Sequence, residues 1–436
     1  MARGSAVGHR SCWTPRVAEI SLLNDTVLRR TRQAAAGFGH ALDDLICGFT
    51  RRRSVHLLFE AASPLSLAVF RPVLEQLKTD PRLEIWYTSA DRTWDATSVF
   101  GPELAPRILS QHDVRWMKFD AYVNTDFWNM TWLRRRTRRI HLFHGVAGKY
   151  NLDCPVEIAP SVASFDELLF PNADRLTRYL DAGLIDPRHT KASLVGYPKV
   201  DCLVDGTLDR AAIAASNGLD PSVPTVLYAP TWSQYSALHT AGLEMLPKLA
   251  SLGLNVIVKL HDRSFDASRD MRGIDWRSRL DVLARNPRVH IARGADISPY
   301  LFVSDLVVTD HSSVGFEFML LDRPIVVIDC PELIKNASVN QEKVVLLRSA
   351  SDVVIPGADI PRVVQMALAR PGRLSAERRS VAERLFYQPG GATGRAVSCL
   401  YGTLGIPAPA SRRQWAPPAS GPVPIDICEA RSASRV

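Results

Sequence analysis

The sequence predicts an α/β protein with two domains, each built on a parallel sheet. Short apolar runs of strand length alternate along most of the chain with segments of helical spacing, which is typical of parallel sheets with crossover helices. The chain has 436 residues, and a single core stops growing at about 250–300 residues. Polar residues follow predicted strands in both halves, which favours a ligand cleft between two domains.

Four segments follow from this pattern. Residues 1–53 form an N-terminal tail with a basic amphipathic helical segment over Val17–Gly48, which either lies on an anionic membrane or packs on its own domain. Residues 54–218 and 219–405 form the two α/β domains. Residues 406–436 form a disordered tail rich in Pro, Ala, Ser and Arg.

The strands of the first domain are predicted from apolar runs bounded by polar residues, and its helices from apolar positions three and four apart. The predicted strands are Val55–Phe59, Leu83–Tyr87, Val114–Met117, Ala121–Val123, Ile140–Phe143, Leu168–Phe170 and Ser193–Gly196. The predicted helices are Leu67–Leu77, the basic segment 127–139, Ala173–Ala182 and Leu208–Ala215.

The same patterns continue in the second domain after a turn at Gly218–Pro224. The predicted strands are Thr225–Tyr228, Asn255–Leu260, Val289–Ile291, Leu306–Val308 and Ile325–Asp329. The predicted helices are Leu243–Ser251, one that starts after Ser313, Ile360–Ala369 and Ser375–Phe386.

The stretch Asp305–Pro324 predicts a strand, a tight turn and a helix. A helix that starts just after Ser312 and Ser313 points free backbone N–H groups and a positive dipole end above the strand, an arrangement that suits a phosphate. The alternative is that Asp310 or Ser312 only caps the helix.

Four polar sites follow predicted strands, namely His144, Thr231, His261 and the Ser312–Ser313 pair. Histidine is well suited to take a proton near neutral pH, so His144 is the candidate general base. His261 and Lys259 could serve a phosphate, and Lys149 could do so from the other domain. The alternatives are a structural histidine and solvated lysines.

Glu317 lies one helical turn after Ser313 and could accept hydrogen bonds from a ribose, or it could be balanced by Arg323. The arginine run within 134–139 could bind a polyanion or lipid headgroups, or be a solvated helix end.

Composition and missing motifs exclude several classes of protein. The net charge of +8 favours polyanionic partners, but nucleic acid is disfavoured because no RNA-binding or helix-turn-helix signature accompanies the charge. The sequence has no Walker loop, no dinucleotide fingerprint and no D-x-D pair. Seven scattered cysteines and the lack of a signal or membrane-spanning segment favour a cytoplasmic protein, with peripheral attachment to the inner face of the membrane left open.

Six motifs, in order, resemble those of the CDP-glycerol glycerophosphotransferases of teichoic-acid and capsule synthesis. The family pattern W-H-G-T-P-x-K resembles Phe143–Lys149, G-x-P-R-x-D resembles Gly196–Asp201, and Y-A-P-T-W matches Tyr228–Trp232. The pattern K-x-H matches Lys259–His261, T-D-Y-S-S resembles Thr309–Ser313 with His311 for tyrosine, and the closing D-G-x-A-x-x-R resembles Pro389–Arg395.

The resemblance implies a GT-B fold, with two Rossmann-like domains facing a central cleft and no required metal or cofactor. It implies transfer of glycerol phosphate, or a related alditol phosphate, from a CDP-activated donor to a hydroxyl of a polyanionic or lipid-linked glycan acceptor, with release of CMP. His144 would be the base and His261 a phosphate-site residue. Ser312 and Ser313 would hold the pyrophosphate, with Arg395 a further contact.

The remaining members of the expected donor site are Lys149, Thr231, Lys259, Asp310 and Glu317. Two other readings stay open: another GT-B enzyme, such as a sugar-nucleotide glycosyltransferase or a UDP-sugar 2-epimerase relative, and a binding protein of the same fold without activity.

Overall fold

The computed structural model describes residues 54–89, 95–127, 133, 136–148, 155–186, 191–265, 273–337 and 339–409. The helical segment expected over 17–48, Lys149 and the tail beyond 409 lie outside the described residues. No helix of the described part is both long and apolar enough to cross a lipid bilayer.

The first sheet of the described chain has six parallel strands in the order β2-β1-β3-β4-β5-β6. Most strand residues are buried on both faces, as expected for a sheet covered by helices on both sides. The strands are β1 (Val55–Glu60), β2 (Leu83–Thr88), β3 (Ala121–Asn124), β4 (Arg138–Leu142), β5 (Glu167–Phe170) and β6 (Lys191–Leu194).

Helices of the first half begin at capping residues that the sequence supplies. Ser63 precedes Pro64 at the start of the first helix, and the Asn172 side chain accepts a hydrogen bond from the Arg175 N–H at 2.8 Å. The helices are α1 (Pro64–Leu77), α2 (Ala96–Phe100), α3 (Gln111–Val114), α4 (Pro155–Val162), α5 (Ala173–Asp181) and α6 (Arg210–Ser216), with 3-10 turns at Pro102–Arg107 and Pro198–Leu203.

The second described sheet is also parallel and six-stranded, in the order β12-β11-β10-β7-β8-β9. The order reverses between β10 and β7, which leaves a crevice at the carboxyl ends of the central strands. The strands are β7 (Thr225–Tyr228), β8 (Asn255–Val258), β9 (Val289–Ile291), β10 (Leu306–Thr309), β11 (Ile325–Ile328) and β12 (Asp352–Val354).

Ten helices belong to the described part of the second half and to the end of the chain. They are α7 (Ala237–Thr240), α8 (Met245–Ser251), α9 (Trp276–Leu283), α10 (Ser298–Val303), α11 (Ser313–Met319), α12 (Pro331–Asn336), α13 (Gln341–Ser349), α14 (Ile360–Ala369), α15 (Ser375–Leu385) and α16 (Ala392–Leu404). A further 3-10 turn lies at Asp262–Phe265.

The α/β class and the two parallel sheets are confirmed, but two local predictions were wrong. The expected strand Val114–Met117 is absent. A short helix ends at Val114 instead, because the Ser110 side chain accepts a hydrogen bond from the Asp113 N–H and caps that helix. Arg138 and Arg139, expected at the end of a helix, are the first residues of β4, where they pair with β3.

One of the apolar clusters of the described chain extends across both halves. A single cluster of buried residues contains members of both sheets, such as Val123 and Val307, together with Tyr197 and Leu400. Helix α16, the last helix of the described residues, packs against α1 and β4 of the first half. Where the chain divides into domains, between 218 and 219 or elsewhere, stays a prediction.

Candidate functional site

Loops from both sheets meet at a cavity of about 240 Å³ at the carboxyl ends of the strands. The segment after β4 lies on one side, and the segments after β8 and β10 lie on the other. The structure brings together at this cavity seven of the residues expected from the sequence, namely His144, Thr231, Lys259, His261, Ser312, Ser313 and Glu317.

The imidazole of His144 is held in one tautomer by a backbone contact. Its Nδ1 lies 2.6 Å from the carbonyl oxygen of Thr125, and 3.6 Å from a carboxylate oxygen of Asp126. A carbonyl oxygen only accepts hydrogen bonds, so Nδ1 carries the proton and Nε2 carries the lone pair in the neutral ring. The side chain is 49% exposed, within reach of a substrate. His144 can therefore act as a base through Nε2.

The loop around His144 is fixed by arginines from α5 that the sequence did not single out. Arg175 donates a hydrogen bond to the carbonyl oxygen of Gly145 at 2.8 Å, and Arg178 donates to that of Gly148 at 2.9 Å. The Arg175 guanidinium also lies 4.4 Å from the ring centre of Phe143. Because both arginines contact backbone carbonyl groups, only the three-dimensional arrangement identifies them.

His261 presents the opposite tautomer to His144. Its Nδ1 accepts a hydrogen bond from the backbone N–H of Arg263 at 3.1 Å, so the neutral ring carries its proton on Nε2. Neutral His261 can therefore donate a hydrogen bond through Nε2, whereas neutral His144 can accept one.

Lys259 lies next to His261 and is buried. Its ammonium group donates to the carbonyl oxygen of Leu260 at 2.9 Å. Burial lowers the pKa of Lys259, and the nearby Asp262 carboxylate acts in the opposite direction. Because it is shielded from water, the Lys259 ammonium group interacts strongly with any anion that enters the cavity.

Ser312 and Ser313 border the cavity at the start of α11. The Ser312 hydroxyl accepts a long hydrogen bond, 3.4 Å, from the Val314 N–H and so caps the helix. The capping alternative for Ser312 thus holds in the structure, but it leaves the hydroxyl at the cavity wall.

Asp310 is fully buried and does not border the cavity. Its carboxylate accepts hydrogen bonds from the Thr231 hydroxyl at 2.6 Å, from the Thr231 N–H and from the Ala237 N–H. Asp310 therefore joins the segment after β7 to the segment after β10 and positions Thr231, which does border the cavity.

Glu317 is paired with Lys199, a residue that the sequence analysis did not select. The two charged groups lie 2.6 Å apart, and each side chain is 3% exposed. Burial acts to lower the pKa of Lys199, but the adjacent Glu317 carboxylate, together with Tyr197 and Asp296, outweighs it and holds that pKa above its ordinary value. The alternative prediction, that Arg323 balances Glu317, was wrong, because the Arg323 guanidinium donates to the carbonyl oxygens of Phe302 and Ser304.

Lys199 stands at the arginine position of the G-x-P-R-x-D pattern, which was the only signal that could have identified it. It belongs to the first half of the chain and Glu317 to the second, so the pair joins the two halves at the base of the cavity.

Arg395 lies away from the cavity. Its guanidinium donates to the backbone carbonyl oxygens of Val195, Tyr387 and Gln388, at 2.8, 3.1 and 2.6 Å. Nearby, Asp201 accepts hydrogen bonds from backbone N–H groups at the start of α16, including that of Thr393 at 2.7 Å. The second and sixth motifs thus bind each other.

His311 is buried and also lies off the cavity. Its Nε2 lies 2.9 Å from a carboxylate oxygen of Asp329, which in turn pairs with Arg348. The departure from tyrosine at this position therefore changes a contact beneath the site and not the lining of the cavity.

The chain is similar in sequence to known proteins. Residues 118–330 match the model of the family described as CDP-glycerol:poly(glycerophosphate) glycerophosphotransferase. A teichoic acid poly(glycerol phosphate) polymerase from Staphylococcus epidermidis is 25% identical over 171 residues, which are 37% of this chain. The match covers 22% of that relative's length.

Solved structures share the fold. The wall teichoic acid polymerase TagF superposes with a TM-score of 0.63 at 15% identity, covering 89% of this chain and 97% of TagF. A UDP-N-acetylglucosamine 2-epimerase from Listeria monocytogenes, described as putative, gives a TM-score of 0.52 at 12% identity, covering 80% and 96%. The GT-B-like architecture expected from the motifs is confirmed. Through residues 118–330, just under half of its length, the chain is similar to the CDP-glycerol:poly(glycerophosphate) glycerophosphotransferase family.

Proposed function

We propose that this protein transfers glycerol phosphate, or a related alditol phosphate, from a CDP-activated donor to a hydroxyl of an acceptor and releases CMP. The observation that carries the proposal is the pair of histidines in opposite tautomers at one cavity. His144 has a lone pair on Nε2, and His261 has a proton on Nε2. A base and a hydrogen-bond donor are the two groups that attack of a hydroxyl on a phosphate requires.

In the proposed reaction the acceptor hydroxyl attacks the phosphorus that carries the alditol. Nε2 of His144 takes the hydroxyl proton as the new P–O bond forms. The bond between this phosphorus and the oxygen bridging to CMP breaks, and CMP leaves with that oxygen. The product is a phosphodiester, and no other reactant is consumed.

The second half of the cavity would stabilise the negative charge of the transition state. His261 donates from Nε2, Lys259 supplies a positive charge at a buried position, and the hydroxyls of Ser312 and Ser313 donate to phosphate oxygens. Phosphoryl transfer depends mainly on such positioning and charge stabilisation. Thr231 completes the wall, and Lys149 of the same motif as His144 is expected to contribute a further positive charge.

The acceptor in this proposal is a growing cell-surface polymer or a lipid-linked glycan, and the enzyme works in the cytoplasm at the inner face of the membrane. The family match and the TagF-like fold support the first part. The net charge of +8 supports association with an anionic surface.

The donor can be tested by incubating the full chain separately with CDP-glycerol, CDP-ribitol, UDP-N-acetylglucosamine and a GDP-sugar, each with a glycerol phosphate oligomer as acceptor. We expect release of CMP from a CDP-alditol and no UDP or GDP. Conversion of UDP-N-acetylglucosamine to its 2-epimer would instead assign the activity suggested by the epimerase-like fold. Absence of CMP from both CDP-alditols would refute the proposal.

The base can be tested with His144→Ala. Removing a general base lowers turnover by about 10²–10⁴-fold, while the dissociation constant of CDP should stay within twofold, because Lys259, His261 and the serines remain. His112→Ala is the matched control, since His112 is exposed and does not border the cavity. Wild-type turnover in His144→Ala would remove His144 from the mechanism.

A further inference from the structure

A second cavity, of about 440 Å³, lies beside the first one. It is bounded on one side by α1, α2 and the turn that follows α2, and on the other by the loop 293–296 and the start of α10. Ala295 lines both cavities, and neighbouring residues at the start of α1 line one or the other. The second cavity is therefore an extension of the cleft between the two halves, leading away from His144.

Two guanidinium groups line this cavity, one from each of its two sides. Arg71 comes from α1 and Arg293 from the loop before α10. Within the residues that the structure describes, neither side chain has a hydrogen bond or an ion pair. The Arg293 backbone is fixed, because the Tyr300 hydroxyl accepts from its N–H at 2.9 Å and donates to its carbonyl oxygen at 3.0 Å.

The same cavity also offers carboxylates and an apolar wall. Glu103 and Asp296 line it, and one Asp296 oxygen accepts a hydrogen bond from the Ser298 N–H at 2.9 Å. Val99 and Phe100 supply apolar surface. Guanidinium groups only donate hydrogen bonds and carboxylates only accept them, so the lining fits a ligand that has both an anionic group and hydroxyls.

A small ligand that carries several negative charges on neighbouring groups, such as a diphosphate, fits this lining poorly, because Glu103 and Asp296 would repel it. A neutral sugar would leave Arg71 and Arg293 without anionic partners. A chain of alditol units joined by phosphodiesters meets both conditions, since each unit carries one negative charge and at least one hydroxyl.

We propose that this second cavity is the acceptor subsite, in which Arg71 and Arg293 bind a phosphodiester of the acceptor while Glu103 and Asp296 accept hydrogen bonds from its alditol hydroxyls. The proposal rests on the proposed function. The terminal hydroxyl of the same acceptor then reaches the first cavity past Ala295, on the side of His144.

A binding measurement tests the subsite without any turnover. The full chain is titrated with a synthetic glycerol phosphate trimer by calorimetry, and the variants Arg71→Ala and Arg293→Ala are titrated in the same way. Each variant should weaken binding of the trimer by about tenfold or more, because each loses a hydrogen bond to a charged group. Binding of CDP should stay unchanged. The matched control is Arg285→Ala, which removes an exposed arginine outside both cavities.

Three outcomes would overturn the proposal: no binding of the trimer to the wild-type chain, wild-type affinity in both arginine variants, or equal losses in Arg285→Ala. Inorganic phosphate and uncharged triglycerol serve as separate probes, and either one binding as tightly as the trimer would also refute it. If the arginine variants bind the trimer more weakly but no CDP-alditol yields CMP, the acceptor subsite is supported and the proposed reaction is refuted. If transfer occurs, the variants should raise KM for the acceptor and leave KM for the donor unchanged.

Discussion

The buried ion pair between Lys199 and Glu317 can be tested by Glu317→Gln. This substitution preserves the shape of the side chain and removes its charge. It leaves the ammonium group of Lys199 buried without the counter-ion that lies 2.6 Å away in the wild type. An uncompensated buried charge is among the most destabilising changes that a single substitution can make.

The magnitude follows from the burial of the pair. Both side chains are 3% exposed, so water cannot replace the lost partner. Breaking a buried ion pair by removing one partner costs about 3–5 kcal/mol of the free energy of unfolding. By contrast, Glu75→Gln, which breaks the exposed contact between Glu75 and Lys78 at 2.8 Å, should cost less than about 1 kcal/mol.

The assay is urea unfolding of the full chain, with the shift of the midpoint interpreted only where the slope is unchanged. The double variant Lys199→Met/Glu317→Leu replaces the pair by apolar side chains and should recover most of the loss, because no buried charge remains. A cost of less than about 1 kcal/mol for Glu317→Gln would refute the reasoning. So would a double variant as unstable as the sum of its two single variants.

The pH dependence of this variant gives a second measurement. In the wild type the pKa of Lys199 is raised in the folded state. The charged Lys199 therefore makes its full contribution to the free energy of unfolding below the ordinary lysine pKa of about 10.4, and this contribution is lost only as the pH rises through the raised pKa. In Glu317→Gln burial, the largest single influence on this pKa, is opposed only by Tyr197 and Asp296, so the pKa of Lys199 falls. The difference in unfolding free energy between the two proteins should therefore narrow between pH 7 and pH 10.

Two further predictions concern buried positions away from the cavity. Gly196→Ala should destabilise the chain by more than about 2 kcal/mol, because φ is +91° and the added Cβ would lie 2.6 Å from the carbonyl oxygen of Tyr387. The control Gly206→Ala, at a residue with φ of +79° and no atom within 4 Å of the added Cβ, should cost about 1 kcal/mol. Equal thermal midpoints of the two variants would contradict this prediction. Burial raises the pKa of Glu60 to about 8, so the folded state holds a proton that the unfolded state loses above about pH 4.5 and stability falls as the pH rises to about 8. Relative to that of the wild type, the free energy of unfolding of Glu60→Gln should rise by up to about 1.4 kcal/mol per pH unit between pH 5 and 8. A difference between the urea midpoints of the two proteins that stays constant over that range would contradict the raised pKa of Glu60.

The sequence was most informative where short-range patterns decide the structure. The expected strand Thr225–Tyr228 has the same bounds as β7, and the strand, turn and helix of 305–324 appear as β10 and α11. Their apolar runs are buried on all sides, so no other packing competes. At 114–117 a local serine cap competed with the apolar run, and the cap prevailed.

Contacts between distant residues could not be predicted in this way. Lys199 and Glu317 are 118 positions apart, and nothing in either local pattern specifies the other. The tautomer of His144 depends on a carbonyl group 19 residues earlier, at the end of a neighbouring strand. Periodicity shows which face of an element is buried, but the partner at that face is set by the packing of both sheets together.

The position of α16 has a consequence for synthesis on the ribosome. The helix is formed by Ala392–Leu404, yet it packs on α1 and β4, which leave the ribosome before the whole second sheet has been made. Domains of most proteins fold in order from the N-terminus during translation. Here the surface of α1 that α16 covers stays exposed until nearly all of the described chain has left the ribosome. The first half is therefore synthesised first, but its packing is completed last.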